Sequence, residues 1–156
     1  MNIDREDLLI LEEGLLSWAQ DLGWRLERTG PLRRGIWPIE RLEFLREAVM
    51  SPDSWDSILA SCDLFSSHVP QRREALTTSG VPVKFYQVSQ EAWGFAQIAH
   101  TGPADFVALC REQAGWDALP AITEEVAFQK IGLLPISPAL RRVESLPWRV
   151  SGVADA

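Results

Sequence analysis

A change of rhythm near His100 constrains this chain more than any other feature. Between residues 24 and 88, short runs alternate large apolar residues with polar ones, which is the periodicity of strands. Beyond His100 the alternation stops and apolar residues recur at helical spacing. A chain of this kind builds a sheet first and a helical appendage second, so the expected class is α+β. The sheet needs a cover, and residues 4–22 offer one. Leu8, Leu11, Leu15, Trp18 and Leu22 recur at steps of three and four and share one helical face, with Asp4 placed as N-cap and Gly23 as the stop.

The remaining elements follow from local signals. Trp24–Arg28 reads as a short strand. TGPLRRG (29–35) reads as a glycine-bounded basic loop. In IERLEFL (39–45), a strand would point Leu42 and Phe44 to one face and Arg41 and Glu43 to the other. Residues 52–61 read as a helix begun by Ser51 and Pro52. Strands are expected at 74–78 and 81–88, joined by a Ser79-Gly80 turn, with a helix over 90–99. HTGPADF then turns the chain and opens a helix through about Gln113. Thr123 caps a further helix, TEEVAFQKI, stopped by Gly132, and the Pro-rich remainder reads as irregular.

Composition narrows the function classes. Hydrophobic residues make up 46% of the chain, enough for a packed core. The net charge of −7 weighs against a free-standing, high-affinity nucleic-acid binder, although a local basic groove remains compatible with it. Cys62 and Cys110 fit no zinc spacing and read as reduced structural thiols. The acidic start, MNIDREDLLILEEG, is unlike a secretory leader, and no apolar run reaches the roughly 20 residues that span a bilayer. A cytoplasmic protein with no membrane partner is therefore expected. Most of the seven tryptophans read as core or interface anchors.

Five pieces in order carry a resemblance: TGPLRRG (29–35), IERLEFL (39–45), SGVPVKFYQV (79–88), WGFAQIAHTGPADF (93–106) and TEEVAFQKIGLLPISPALR (123–141). Together they resemble the polymerase X family, the DNA polymerase beta-like nucleotidyltransferases. That family has Gly-Ser-x-Arg-Arg-Gly, then a strand bearing Asp-x-Asp, then a third Asp on a later strand. A Thr-Gly-Ser turn follows, and then a thumb ending in Leu-Pro-x-Ile-Pro-Pro-Glu-Leu-Arg. The similarity spans about residues 8–144, and LLPISPALR is its most specific piece. It implies a palm over 1–99, a twisted mixed sheet of four to five strands with helices mainly on one face. A thumb-like subdomain over 100–145 and a tail over 146–156 would follow. The family's lyase-like and fingers modules are expected to be absent.

The resemblance also implies a damaged active site. In the family, three aspartates hold two magnesium ions between the attacking and leaving oxygens. Arg41 stands at the first of these positions, Glu43 at the second and Lys84 at the third. Two ligands have become cations, which repel a dication, so no catalytic residue, metal or cofactor is expected. Pro31 replaces the family's phosphate-loop serine and lacks both its hydroxyl and an N–H. Gly30, Arg33, Arg34, Thr101 and Gly102 remain as candidates for holding an anion or nucleotide. Arg34 matches the family's phosphate-binding arginine. Arg33 and Arg34 read equally as solvated or ion-paired loop residues, and Thr101-Gly102 as a turn before a helix.

His100 reads as structural, and His68 as a surface residue. Trp37 reads as a pocket cover, a base-stacking surface, a core residue or a partner contact. Two magnesium ions on three carboxylates leave one net positive charge, and Arg41, Glu43 and Lys84 together carry the same. Arg41, Glu43 and Lys84 should converge on the open side of the sheet, where they could attract an anion without metal. Alternatively, Glu43 pairs with Arg41 or Lys84 and closes the site.

The expected function is therefore a catalytically inactive nucleotidyltransferase fold. It would act as a binding or assembly module for a protein partner, in a DNA-processing or nucleic-acid-related complex. One alternative is an active nucleotidyltransferase that uses magnesium through atypical ligands. The other is a metal-independent nucleotide or nucleic-acid binder with weak contact.

Overall fold

The computed structural model describes residues 3–47 and 55–142. Helix α1 (Arg5–Asp21) begins as the sequence predicts: the Asp4 side chain accepts the Asp7 N–H at 2.9 Å. Leu8, Leu11 and Leu15 are buried, while Leu22 lies past the last turn and is 41% exposed. Gly23, at φ +74°, takes the left-handed conformation that ends the helix.

Five strands form one sheet: β1 (Leu26–Arg28), β2 (Leu42–Glu47), β3 (Phe65–Val69), β4 (Glu74–Thr77) and β5 (Pro82–Val88). Their order across the sheet is β1-β2-β5-β4-β3. β2 and β5 run parallel and the other pairs antiparallel. The class is thus α+β with a mixed five-stranded sheet. Edge strand β3 was not expected. FSSHV lacks clean alternation, and its pairing slips at a bulge between Phe65 and Ser67, so its period of two is broken.

The parallel pair sets the faces. Leu42 pairs with Val83 and Phe44 with Phe85, and these four meet the α1 leucines on one face. Helix α3 (Trp55–Ala60) adds Leu59 to the same cluster. The expected start of α3 at Ser51 and Pro52 lies outside the described residues. Trp37, half-buried, packs against this core. Glu12, buried on α1, receives both Arg28 Nε, at 2.7 Å, and Arg28 Nη2, tying the helix to β1.

The opposite face carries Glu43, Leu45, Lys84 and Tyr86. Helix α4 (Trp93–Thr101) lies across its β1–β2 end. Gln97 donates to Glu27, and the Arg25 guanidinium sits 4.0 Å over the Trp93 ring. Toward β4 the same face is open, and Leu76 is 40% exposed. Helix α4 runs two residues further than expected, so His100 and Thr101 form its last turn. Gly102, at φ +72°, then breaks it.

Helices α5 (Ala104–Arg111) and α6 (Glu124–Lys130) build the second core with α4. Phe95 and Ile98 of α4 join Phe106, Cys110, Phe128 and Leu133 there, so the expected 99/100 boundary falls inside a shared helix. Thr123 caps α6 by accepting the Val126 N–H at 3.2 Å. Gly94 lies so close to the backbone at Thr123 that a Cβ would overlap it. The tail from 133 is irregular except for a turn at Pro138–Leu140, and residues from 143 lie outside the described part. Among the described residues, no helix is long and apolar enough to cross a membrane.

Leu15 is fully buried between α1 and the sheet. Leu15→Ala should therefore cost about 2–5 kcal/mol in denaturant unfolding. An unchanged midpoint would show α1 to be peripheral.

Candidate functional site

The basic loop is not a loop. Gly30–Arg33 forms a one-turn helix, α2, with Pro31 in its first turn, where a missing N–H is harmless. Successive residues on a helix point about 100° apart. Arg33 and Arg34 consequently face different surroundings.

Arg33 turns toward α4 and α6. Its Nη1 donates to Thr101 Oγ1 at 2.7 Å and to Glu124 Oε2 at 2.7 Å, and its Nη2 donates to Glu124 Oε1 at 2.9 Å. Arg141 reaches the same carboxylate from the tail, with bonds of 2.9 and 2.6 Å, and its Nε donates to the Ile136 carbonyl. Burial alone would raise the Glu124 carboxyl, but the two guanidinium groups outweigh it and hold it below the usual carboxylate range. Of the two open readings of Arg33, the ion pair is the one observed. Thr101 is an acceptor for Arg33, inside a helix rather than in a turn before one.

Arg34 has no such partner. Among the described residues no hydrogen bond or ion pair reaches its side chain, and its Nε is fully buried. Its guanidinium lies along Gly102, 3.8–3.9 Å from where a Cβ would stand. It also lines a hollow of about 370 Å³ with Pro31, Ile36, Pro38, Glu40, Arg41 and Glu43.

Arg41, Glu43 and Lys84, expected to converge, come only partly together. Glu43 and Lys84 are register partners and share a face, as expected. The Lys84 side chain, however, leaves the site: Nζ donates to the Arg72 carbonyl and lies 3.9 Å from Glu74. The pull of a nearer carboxylate and carbonyl overrides convergence, so Lys84 does not meet Arg41 and Glu43. Arg41 Nη2 sits 3.4 Å from Glu43 Oε1 and 3.2 Å from the Tyr86 hydroxyl, which donates to Glu43 at 2.7 Å. Gly30 backs the same carboxylate so closely that a Cβ would overlap it.

These donors do not fit magnesium. A single carboxylate, already accepting from Tyr86 and Arg41, is flanked along both strands by cations. Among the described residues, no three His, Cys, Asp or Glu side chains lie together as a metal set.

Tyr86 is the chain's one tyrosine, and sequence reasoning passed over it. Its period-two spacing from Lys84 was the available signal. Burial first, and then the hydrogen bond to Glu43 and its charge, push its hydroxyl up to about 12. His100 stacks on its ring, with centroids 4.0 Å apart at 21°. Burial lowers the His100 pKa, Arg111 lowers it further and Glu43 partly opposes both, so this histidine is kept neutral near pH 7. Its role is packing. His68 lies near the surface and contacts Asp56 at 2.9 Å. Both thiols are buried and pushed up, Cys110 to about 11, which makes them unreactive.

Two outcomes follow from this geometry. Glu124→Gln leaves two guanidinium groups facing each other inside the protein, which should cost about 3–5 kcal/mol in chemical unfolding. Because the Glu124 carboxyl is depressed in the folded state, its contribution is complete above the ordinary carboxylate range and fades as pH falls through the depressed value. The variant should therefore lose less stability than wild type on acidification. Separately, Glu43→Gln should bring the Tyr86 ionisation down from about 12 while leaving it above 10, because burial persists. Ultraviolet titration reads this directly.

No protein-family model matches this chain, and no curated protein matches it significantly.

Proposed function

We propose that this chain is a nucleotidyltransferase-type fold that has given up nucleotidyl transfer and serves as a binding or assembly module. The observation that carries this reading is the state of Glu43. The one acidic residue at the three ligand positions is occupied by Tyr86 and Arg41 rather than open to a cation. The five ordered motifs support the family part of the reading. The net charge of −7 favours a protein partner over free nucleic acid, within a complex that handles DNA or nucleotides. The two buried, unpaired cysteines favour a reducing, cytoplasmic setting.

Arg34 favours a second reading, anion binding without metal. A guanidinium with no protein acceptor beside a hollow suits a small anion, and Arg41 adds a fixed charge nearby. Such binding would weaken with salt and would be indifferent to EDTA.

The test is transfer itself. With magnesium or manganese, a nucleoside triphosphate and a primer, the chain should show no extension above that of Glu43→Ala. The triple change Arg41→Asp, Glu43→Asp and Lys84→Asp should remain inactive, because Pro31 still lacks the phosphate-loop donors. Template-directed extension by the wild-type chain, lost in Glu43→Ala, would overturn the reading.

A further inference from the structure

We infer that the hollow beside Arg34 is the docking site for an extended segment of a protein partner, with an acidic side chain on Arg34 and apolar neighbours on the rim. This rests on the binding-module reading and adds the chemistry of the partner.

Three observations converge on it. First, Arg34 lines the hollow and its guanidinium has no acceptor among the described residues; Nε is shielded against Gly102, so the Nη1/Nη2 edge is the part a ligand in the hollow can meet. A carboxylate is the acceptor whose two oxygens match a guanidinium edge. Second, the rim is apolar and open. Ile36 is 44% exposed, Pro38 is exposed, and Pro31 forms the adjoining wall. A contact built of apolar surface around one charged anchor is the pattern of a protein interface. The hollow, at about 370 Å³, has room for an acidic side chain and an apolar neighbour.

Third, the charges decide between a carboxylate and a polyphosphate. The lining holds two cations, Arg34 and Arg41, and two anions, Glu40 and Glu43. Arg41 is already drawn to Glu43 at 3.4 Å, so Arg34 is the cation left for a ligand. The formal sum is zero, and a triphosphate would bring several negative charges against two carboxylates. A single carboxylate on Arg34 meets one free charge with one. Pro31 also withdraws the backbone N–H that a phosphate would use. A nucleotide or nucleic acid is therefore the less favoured ligand of this hollow.

The experiment uses the full chain and three probes: acetyl-Leu-Glu-Leu-amide, acetyl-Leu-Gln-Leu-amide, and dATP in EDTA. Binding is followed by NMR shifts of backbone amides from residues 31–43. The Glu peptide should bind at least about tenfold more tightly than the Gln peptide, the margin of a charge-assisted bond over a neutral one. It should also outcompete dATP. Arg34→Gln should erase the preference between the peptides. Ile36→Asp, a change at an exposed position, should weaken the Glu peptide by a comparable factor while leaving the melting temperature unchanged, so a poorly folding Arg34 variant would not end the test. Equal binding of the two peptides, no binding of the Glu peptide, or tighter binding of dATP would each overturn the docking site. None of these touches the binding-module reading, which falls only to extension activity that depends on Glu43.

Discussion

The Glu124 carboxylate carries two guanidinium groups, and the arrangement of the molecule's two halves depends on it. Arg33 arrives from the sheet half and Arg141 from the tail, while Glu124 itself opens the first turn of α6. Three charges far apart in sequence meet where solvent is largely excluded; the Arg141 side chain is 1% exposed. Such a cluster is stable only with every partner in place, because removing the acid leaves like charges buried together. Hydrophobic packing alone would let α6 slide on α4. The bidentate geometry at both arginines fixes register as well as contact. Gly94 of α4, pressed against the backbone at Thr123, shows how closely α4 and the start of α6 approach.

The same ion cluster determines what the basic turn offers to a ligand. Arg33 and Arg34 look interchangeable in the sequence. On the helical turn their directions differ by about 100°, and Glu124 claims the first. The second is left against Gly102 with a buried Nε and no acceptor. One positive charge is thus used internally and its neighbour is left to face outward. A mobile lysine pair could not divide the work so cleanly, since an ammonium has no fixed edge to commit.

How much of this was legible in the sequence depends on the range of the interaction. α1 could be read from the spacing of Leu8, Leu11 and Leu15, and the β2 faces from the alternation of Leu42 and Phe44 with Glu43, because periodicity is a local property. Leu22 fitted the same spacing yet lies beyond the helix, since the pattern does not say where hydrogen bonding stops. β3 was invisible because a bulge destroys the alternation that reveals strands. Lys84 was placed on the correct face, but its ammonium follows the Arg72 carbonyl and Glu74, which come from the chain just before β4 and from its first residue. Glu124 and Arg141 stood inside motifs quoted for other reasons. Nothing in either stretch indicates that Arg141 and Arg33, the latter 91 residues from Glu124, share that carboxylate.

The residues at 41, 43 and 84 have a consequence that composition alone does not suggest. On the reading proposed here, the ancestral arrangement drew its positive charge from exchangeable ions, and this chain draws it from side chains. Metal ions leave carboxylates able to follow the charge of a changing ligand. A guanidinium cannot leave, and Arg41 settles on the nearest acid, Glu43. The formal charge of the three positions is conserved while its availability is not: Arg41 is committed to Glu43, and Lys84 is committed to Arg72 and Glu74. On that reading, a site whose cations are so committed is poorly suited to the spread of negative charge that phosphoryl transfer develops. What it retains is one free guanidinium beside an apolar rim, which suits recognition of a single fixed anion. On that reading, the loss of one chemistry and the fitness for another have the same cause: cations that would come and go with the substrate are replaced by cations that are covalently part of the fold.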